Sequence, residues 1–567
     1  MLLIHAPNDS HSRYSAYLAE ILRLEGFADF TELNLDAIKA TSLAEQDLVI
    51  LPRLSASQAE AELLYQYVAQ GGRLLAFLPD ANFARRLGVT SNWRGIDDGW
   101  LHPNPEHSTL HGLCCEPVQI IVPAAGWSVA AAAQVTVLAQ IRAGKNGNAA
   151  DGQPGIVHAK IGVGEVILFA YDLPHAIARL RQGNPDHADL SFAELDGIYR
   201  PSELFVGQLD VEQMLLPQAD LQTALLARLI ETLAPRPRLW YYPEASQHST
   251  VIMTSDDDWS TVEQFEALLA GLRKRQAHDT FYVVPETKIS QALMDQWAAE
   301  GHTFSVHPAL DSDVHAELAT DEPQRKLVAA MLEKNVARHV HDYGHTPRTI
   351  RQHAVRWLGY VEAARLLVQL GIEMELNYIS VHPFSLGYMA GSGRPLRFVD
   401  TDGTVINCYQ QPTLWTEEVL IHPRFVFSFK WTVERALAET DKIIQRAARE
   451  FYTPIIFNSH PVSFATYSSP LIEGCWDTAL AEGMKIISAD EWLAWTKARD
   501  GVRIVMDANG CTVHTPQPLD SLTLLLPNQV AVQSEAAEVG RQQLWGHDYT
   551  AVTLKRLAAG ERRRVVF

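Results

Sequence analysis

Hydrophobic and polar residues over about the first 90 positions alternate in a way that predicts strands separated by amphipathic helices, and a weaker, loop-rich stretch follows. Short apolar runs typical of buried strands occupy 2–5, 48–51 and 74–78. Between the first two runs, apolar side chains follow helical spacing at Tyr14, Tyr17, Leu18, Ile21 and Leu22. Residues 156–169 predict a hairpin, 219–233 a helix, and Pro235-Arg236-Pro237 a linker. This order predicts a flavodoxin-like, doubly wound parallel sheet.

The same alternation resumes with a different spacing between 245 and 498. Its candidate strands are 250–255, 280–284, 303–307, 349–353, 373–379, 454–460 and 484–488. Seven parallel strands interleaved with helices predict a distorted (β/α)7 barrel, one strand short of eight. Beyond 500, β-rich runs separated by turn residues predict a small β-sandwich. We therefore expect an α/β chain of three domains: 1–240, 245–498 and 500–567.

Composition narrows the classes of partner. The 567 residues are 47% hydrophobic and carry a formal net charge of −20, which argues against nucleic acid and anionic membranes as partners. The sequence shows neither an apolar run of the ~18–20 residues that a spanning helix needs nor a signal-peptide pattern at its start. Its five cysteines are scattered, without CxxC spacing, as in reduced cytoplasmic proteins. Cytoplasmic localisation is the expectation; the oligomeric state, a homo-oligomer included, stays open.

Three carboxylates, Asp256-Asp257-Asp258, directly follow the apolar run Val251-Ile252-Met253. Adjacent carboxylates repel one another, so a fold accepts them most readily where a metal or a proton-transfer role stabilises the charge. The alternative is an acidic loop that caps a helix starting near Ser260.

Polar residues also mark the ends of the later strands. Because catalytic residues of such barrels gather at the carboxyl ends of the strands, we expect these residues to converge on one mouth: His307, Arg351, His353, Asn377, Tyr378 and His460.

The run Thr254-Ser255-Asp256-Asp257-Asp258 resembles the first motif, Thr-Phe-Asp-Asp-Gly, of the polysaccharide deacetylases (carbohydrate esterase family four). Members of that family are distorted barrels in which a divalent metal activates water to cleave an acetamide. The resemblance implies that Asp256 is the general base and Asp257 a metal ligand. Asp258 stands where the family has Gly.

The second family motif begins Gly-His-Glu-Ile-Gly-Asn-His and resembles the stretch from Gly301-His302 to His307. The resemblance makes His307 the second metal ligand. Four positions on, where the family has a third His ligand, the chain has Asp311, and a carboxylate can also bind Zn²⁺. His353, at the next strand end, competes for that role. The implied cofactor is a divalent metal, Zn²⁺ first.

The remaining motifs are an Arg that orients the catalytic Asp and a His that acts as general acid. Arg351 is the counterpart of the first, although the Pro-Pro-Tyr continuation is absent and Arg356 is an alternative. His460, after the apolar run Ile455-Ile456-Phe457, resembles the general acid. Aromatic side chains near these loops are candidates for sugar stacking, with core packing as the alternative for each: Trp259, Trp357, Tyr378 and Trp415.

The N-terminal region resembles the class I glutamine-amidotransferase-like domains that are fused to carbohydrate enzymes. Those enzymes carry a nucleophilic Cys at a strand-to-helix turn, yet the first cysteine here is Cys114, and Leu51 is followed by Pro52-Arg53-Leu54-Ser55. This domain is therefore expected to be structural or partner-binding, without catalysis of its own.

Together these features predict a metal-dependent hydrolase that removes N-acetyl or similar acyl groups from a saccharide. The changes to Asp258 and Asp311 point to a divergent branch of the family. Two alternatives stay open. One is a metal-independent glycoside hydrolase that uses Asp256 or Asp258 with a second carboxylate such as Asp311. The other is a non-catalytic carbohydrate-binding or assembly protein.

Overall fold

The computed structural model describes residues 1–129, 134–192, 197–310, 324–381, 386–528, 530–534 and 537–567. Within these ranges the chain is a mixed α/β protein with five β-sheets. Its α-helices are Ser15–Leu24, Ala40–Ala44, Gln58–Ala69, Ala81–Arg86, Leu173–Gln182, Gln218–Leu233, Val262–Arg273, Gln291–Ala298, Gln324–Tyr343, Glu362–Gln369, Glu417–Ile421, Val433–Arg446, Pro461–Ser463, Ser469–Ala481 and Ala489–Gly501. Two π-helical segments, Ala447–Phe451 and Phe464–Ser468, and short 3₁₀ turns complete the helical structure.

The N-terminal sheet has nine strands and is mixed. Its strands, in spatial order, are Thr31–Asn34, Leu2–His5, Val49–Leu51, Arg73–Phe77, Gly164–Phe169, Gln153–Ile161, Val135–Arg142, Trp100–Pro103 and Val118–Gln119. The first five run parallel and the last four antiparallel. The predicted strands, helices and hairpin are present, but the doubly wound parallel sheet was predicted without the antiparallel strands Val135–Arg142, Trp100–Pro103 and Val118–Gln119. A separate ribbon pairs Val89–Ile96 with Ala124–Val129.

The central sheet contains a strand at each of the seven predicted positions. These strands are Thr250–Asp256, Thr280–Val283, Thr303–Val306, Thr349–Ile350, Met374–Glu375, Ile455–Ser459 and Lys485–Ser488, and all of their mutual pairings are parallel. Three strands were not predicted: Leu396–Val399, Val405–Gln410 and Trp415–Thr416. The first strand carries Ile455–Ser459 on one edge, and Lys485–Ser488 and Thr280–Val283 share its other edge.

Two antiparallel sheets form the C-terminal region. One holds Arg503–Asp507, Gly510–Thr515 and Glu561–Val566; the other holds Leu519–Pro527, His547–Leu557 and Ala537–Leu544. A two-residue strand that directly follows the predicted linker, Arg238–Leu239, joins the second of these sheets.

A buried ionic cluster around Glu25 links the N-terminal sheet, the linker and the central sheet. The Glu25 carboxylate accepts from Thr223 Oγ1 at 2.6 Å, Tyr241 Oη at 2.5 Å, Arg394 Nη1 at 3.0 Å and Arg238 Nη1 at 3.2 Å. The next residue, Gly26, has a φ of 88° and a backbone so close to Leu239 that a Cβ atom would lie 2.1 Å from the Leu239 carbonyl oxygen. The N-terminal sheet, the linker region and the central sheet therefore pack together through buried polar contacts and a close backbone approach.

The helices within the described ranges include none long and apolar enough to cross a membrane.

Candidate active site

The carboxylate of Asp256, the last residue of strand Thr250–Asp256, is held by two neighbours at the carboxyl ends of the strands. Asn458 Nδ2 donates to Asp256 Oδ2 at 2.9 Å, and Arg351 Nη1 lies 3.4 Å from Asp256 Oδ1. Arg351 is fully buried and is fixed by donation to Thr254 Oγ1 at 2.7 Å, to Thr413 Oγ1 at 2.8 Å and to Asn458 Oδ1. The Asp256 carboxylate is thus fixed in position at the floor of a cavity.

Asp257 is not among the residues that line that cavity. Its Oδ1 accepts from the Ser260 backbone N–H at 3.0 Å, and its Oδ2 accepts from the Val284 N–H at 3.4 Å. Burial raises the pKa of Asp257 to about 6. The side chain therefore satisfies backbone groups of the turn, and the imidazole of His307 acts on the same carboxylate by lowering its pKa. The metal-ligand role that the motif match implies for Asp257 stays a prediction.

Asp258 is the carboxylate that faces the histidines. Its backbone is left-handed, with a φ of 42°, which Asp tolerates better than most residues. Asp258 Oδ1 lies 3.3 Å from His307 Nε2, and Oδ2 lies 3.7 Å from His460 Nε2. Burial raises the pKa of Asp258, but the imidazoles of His460 and His307 outweigh burial and hold this pKa well below its usual range. The left-handed turn thus brings the third Asp, in place of the second, into the cavity.

The orientation of the His307 imidazole is set by the backbone of the next strand. His307 Nδ1 lies 2.8 Å from the Arg351 carbonyl oxygen. Because a carbonyl only accepts hydrogen bonds, Nδ1 carries the proton and Nε2 faces Asp258. The His353 ring lies edge-on to His307, with centroids 5.7 Å apart, and edge-on to Trp259 at 5.4 Å. Burial lowers the pKa of His353 to about 4, so its imidazole is neutral at pH 7.

His460 is held by a carboxylate that the sequence analysis did not single out. Glu417, fully buried, accepts from the His460 backbone N–H at 3.0 Å and from Nδ1 at 2.9 Å. His460 Nε2 then faces the cavity, 4.0 Å from Asp256 Oδ2. Burial lowers the pKa of His460, but Glu418, Glu417 and Asp258 together raise it well above its ordinary value. His460 is therefore an imidazolium at neutral pH and is able to donate a proton.

The cavity has a volume of about 290 Å³, near the lower end of the ~300–1,000 Å³ typical of small-molecule sites. One part of its wall is polar and carries Asp256, Asp258, His307, Gln352, His353, Thr416, Glu418, Asn458 and His460. Another part is apolar and carries Ile198, Val355, Ile379, Val381, Val419, Phe425 and Phe427. Arg200, Ala354 and Arg356 complete the lining. Ile198 and Arg200 come from the N-terminal region, which therefore contributes to this wall.

Gln352 is a second residue that the sequence analysis did not single out. Its side chain is fully buried, and both the amide oxygen and the amide nitrogen are without a hydrogen-bond partner in the described part of the chain. A buried amide left unpaired costs about 1–3 kcal/mol, so this group at the cavity wall is suited to pair with a bound ligand.

Three of the four candidate aromatic residues belong to the core. Trp415 stacks on Phe457 with centroids 5.0 Å apart, and Trp357 packs edge-on against Tyr378 at 5.3 Å. Trp357, Tyr378 and Trp415 are at most 1% exposed, and none is among the residues that line the cavity. The packing of these three side chains favours the core alternative. Trp259 is partly exposed beside His353, whereas Asp311 lies outside the described residues.

The pair of Asp258 and His307 is the part of the site that fits a metal ion. Asp258 Oδ1 is a buried atom without a hydrogen bond of normal geometry. It faces His307 Nε2, whose partner nitrogen already carries a proton. Asp258 Oδ1 and His307 Nε2 both carry a lone pair towards the other, so their approach requires either a second proton on the imidazole or a cation between the two atoms. A carboxylate oxygen and an imidazole nitrogen are both ligands that Zn²⁺ binds. No group of three or more His, Cys, Asp and Glu suited to enclosing a metal occurs in the described ranges.

No family model and no curated protein matches the chain. Among solved structures, a protein described as a polysaccharide deacetylase from Mycobacterium smegmatis is 14% identical, with a TM-score of 0.36, over 46% of this chain and 94% of its own. A polysaccharide deacetylase from Bacillus cereus is 12% identical, with a TM-score of 0.28, over 42% of this chain and 91% of its own. A cytoplasmic protein from Salmonella typhimurium is 15% identical, with a TM-score of 0.23, over 28% and 76%. Scores this low do not decide the function.

Proposed function

We infer that this chain is a metal-dependent hydrolase that removes an N-acyl group from a saccharide. The observation that carries the proposal is the convergence of Asp256, Asp258, His307 and His460 on one cavity. His460 Nε2 lies 4.0 Å from Asp256 Oδ2 and 3.7 Å from Asp258 Oδ2. Asp256, as a proton acceptor, and His460, as a proton donor, therefore face the same cavity. Amide hydrolysis requires this combination of a proton acceptor for water and a proton donor for the leaving amine.

In this proposal Asp256 accepts the proton of the attacking water. Asn458 holds one of its oxygens and Arg351 lies beside the other, so the carboxylate keeps its direction during the proton transfer. His460 donates the proton that the leaving nitrogen needs, and Glu417 at 2.9 Å stabilises its imidazolium form. The unpaired amide of Gln352 is positioned to bind a polar group of the substrate.

The metal part of the proposal assigns Asp258 and His307 as ligands, with Asp258 in the role that the motif match gave to Asp257. His353, neutral and beside His307, is the third candidate ligand. The Arg351 carbonyl fixes the proton on His307 Nδ1, a common way of orienting a ligating histidine. A divalent cation such as Zn²⁺, when bound, would supply the polarisation of the acyl carbonyl and of water.

The fold belongs to the proposal as well. The parallel pairing of the seven strands between 250 and 488 supports a distorted (β/α)7 barrel. The order of the five parallel N-terminal strands supports a flavodoxin-like sheet, and the two antiparallel C-terminal sheets support a sandwich. We take the N-terminal region to be non-catalytic, although Ile198 and Arg200 line the cavity.

The test compares three variants of the full-length protein: Asp258→Asn, Asp257→Asn and His307→Ala. Elemental analysis after zinc loading, together with release of amine from acetylated chito-oligosaccharides, gives two separate readouts. We expect Asp258→Asn and His307→Ala to lose both the metal and the activity, whereas Asp257→Asn keeps the metal and loses thermal stability. Metal loss in Asp257→Asn alone would return the ligand role to Asp257.

A wild-type protein that takes up no metal and releases no amine would contradict the hydrolase proposal. Release of reducing ends without amine would instead favour the metal-independent glycoside hydrolase. Retention of full activity by Asp256→Asn would contradict the assignment of the base.

A further inference from the structure

The cavity wall has an apolar part that removal of an acetyl group does not require. Val355, Ile379, Val381 and Phe427 pack together as one buried cluster, with Phe425 against it, and all five line the cavity. The methyl of an acetyl group is too small to cover five such side chains. A cavity wall of this composition is suited to a larger apolar group of the ligand.

The backbone beside this cluster is strained in a way that builds the wall. Ala354 and Val355 both have left-handed φ values, 56° and 47°. This region is sterically unfavourable for a β-branched residue such as Val355. The two residues directly follow His353, and the turn places both His353 and Val355 at the cavity. The strained backbone at Ala354 and Val355 thus brings the apolar Val355 side chain to the cavity wall next to His353, a candidate metal ligand.

The sequence neighbours and contacts of this wall place it beside His353. Arg200 Nε donates to the Ala354 carbonyl at 3.2 Å, and the Arg200 guanidinium lies over the Phe427 ring at 5.3 Å. His460 is held instead by Glu417, from helix Glu417–Ile421. In an amide hydrolase the leaving nitrogen must lie at the proton donor, so the acyl carbon chain extends away from His460.

We propose that the cluster of Val355, Ile379, Val381, Phe425 and Phe427 binds the hydrocarbon chain of an acyl group longer than acetyl. This inference rests on the proposed function and specifies its substrate class: amides of an amino sugar with a medium-length aliphatic acid. The polar part of the cavity then holds the scissile amide and the sugar. The N-terminal region, through Arg200, supports the wall that sets the acyl preference.

The test uses N-acylglucosamines with straight acyl chains of two, four, six and eight carbons, the full-length protein and an assay for released amine. Each methylene group transferred from water to an apolar wall contributes roughly a fourfold gain, so kcat/KM should rise several-fold per added methylene until the wall is covered. The variant Val381→Phe fills the space and should remove this rise. Val368→Phe, at a residue 37% exposed on helix Glu362–Gln369 and outside the cavity lining, is the matched control and should keep the rise.

A second readout does not depend on turnover. Isothermal titration of the wild-type protein with sodium octanoate and sodium acetate should show tighter binding of octanoate, and Val381→Phe should abolish the difference. If the acetyl substrate is hydrolysed as well as the octanoyl substrate and octanoate binds no better than acetate, the chain inference is wrong and the hydrolase proposal stands. If no amide is hydrolysed, the hydrolase proposal fails, and equal binding of the two acids overturns the inference as well.

Discussion

The contact between Glu417 and His460 offers the sharpest test of the proposed acid. The change is Glu417→Gln, which keeps the shape and an amide oxygen able to accept from His460 Nδ1 but removes the negative charge. At the observed 2.9 Å, two unit charges interact by about 6 kcal/mol at an effective dielectric constant of ~20. The cost of burying both charges offsets part of this interaction. We therefore expect Glu417→Gln to lose about 1.5–3 kcal/mol of transition-state stabilisation, as measured by kcat/KM.

On the alkaline side of the pH profile, this loss corresponds to a decrease of about ten- to 150-fold in kcat/KM. With one carboxylate fewer, the pKa of His460 falls, so the imidazolium needed as proton donor disappears at a lower pH. The alkaline limb of the pH profile should move to lower pH, while activity on its acidic side changes little. The assay is kcat/KM for amine release between pH 5 and pH 10.

The control for this prediction is Glu434→Gln, which makes the same chemical change at an exposed residue and should leave the profile unchanged. A uniform loss of activity at all pH values in Glu417→Gln, with the alkaline limb in place, would show that Glu417 only supports the fold. An unchanged profile with full activity would refute the assignment of His460 as the acid.

Two further predictions concern stability. Trp415→Ala should lower the free energy of unfolding, measured by urea denaturation, by about 3–5 kcal/mol, because Trp415 is fully buried against Phe457. The control Trp431→Ala, at a partly exposed ring, should lower it much less. Equal effects of the two changes would contradict the core assignment. His302 accepts from the Asp279 N–H through Nδ1 at 3.2 Å, and burial lowers its pKa to about 4. The unfolded chain protonates this imidazole near pH 6.5, whereas the folded protein does so only near pH 4. The stability contributed by neutral His302 is therefore fully present above pH 6.5 and is lost as the pH falls through 4, by up to about 3 kcal/mol in the free energy of unfolding. His302→Asn should show a correspondingly smaller loss of stability over this range, and an identical pH dependence would contradict the reasoning.

The strands of the central sheet were predictable because their sequences are short apolar runs that end in polar residues. The strand Val251-Ile252-Met253 and its parallel neighbours were found in this way. The pair Trp415–Thr416 is only two residues long and produces no periodic signal, so Glu417, which directly follows it, was missed. Asn458 was also missed, although its place two residues before His460, on the same strand end, was a usable signal. The antiparallel strands between 100 and 142 lie in loop-rich sequence without a clear periodic signal, so the mixed character of the N-terminal sheet was not predicted.

The roles of the three adjacent carboxylates depend on one backbone angle that a motif match does not contain. In the family motif the residue after the two Asp is Gly, which adopts a left-handed φ without steric cost. Asp258 occupies the matching position here and has a left-handed φ of 42°. Its carboxylate lies 3.3 Å from His307 Nε2. Asp257 accepts from the N–H groups of Ser260 and Val284. The left-handed backbone at Asp258 thus presents the third carboxylate of the run to His307.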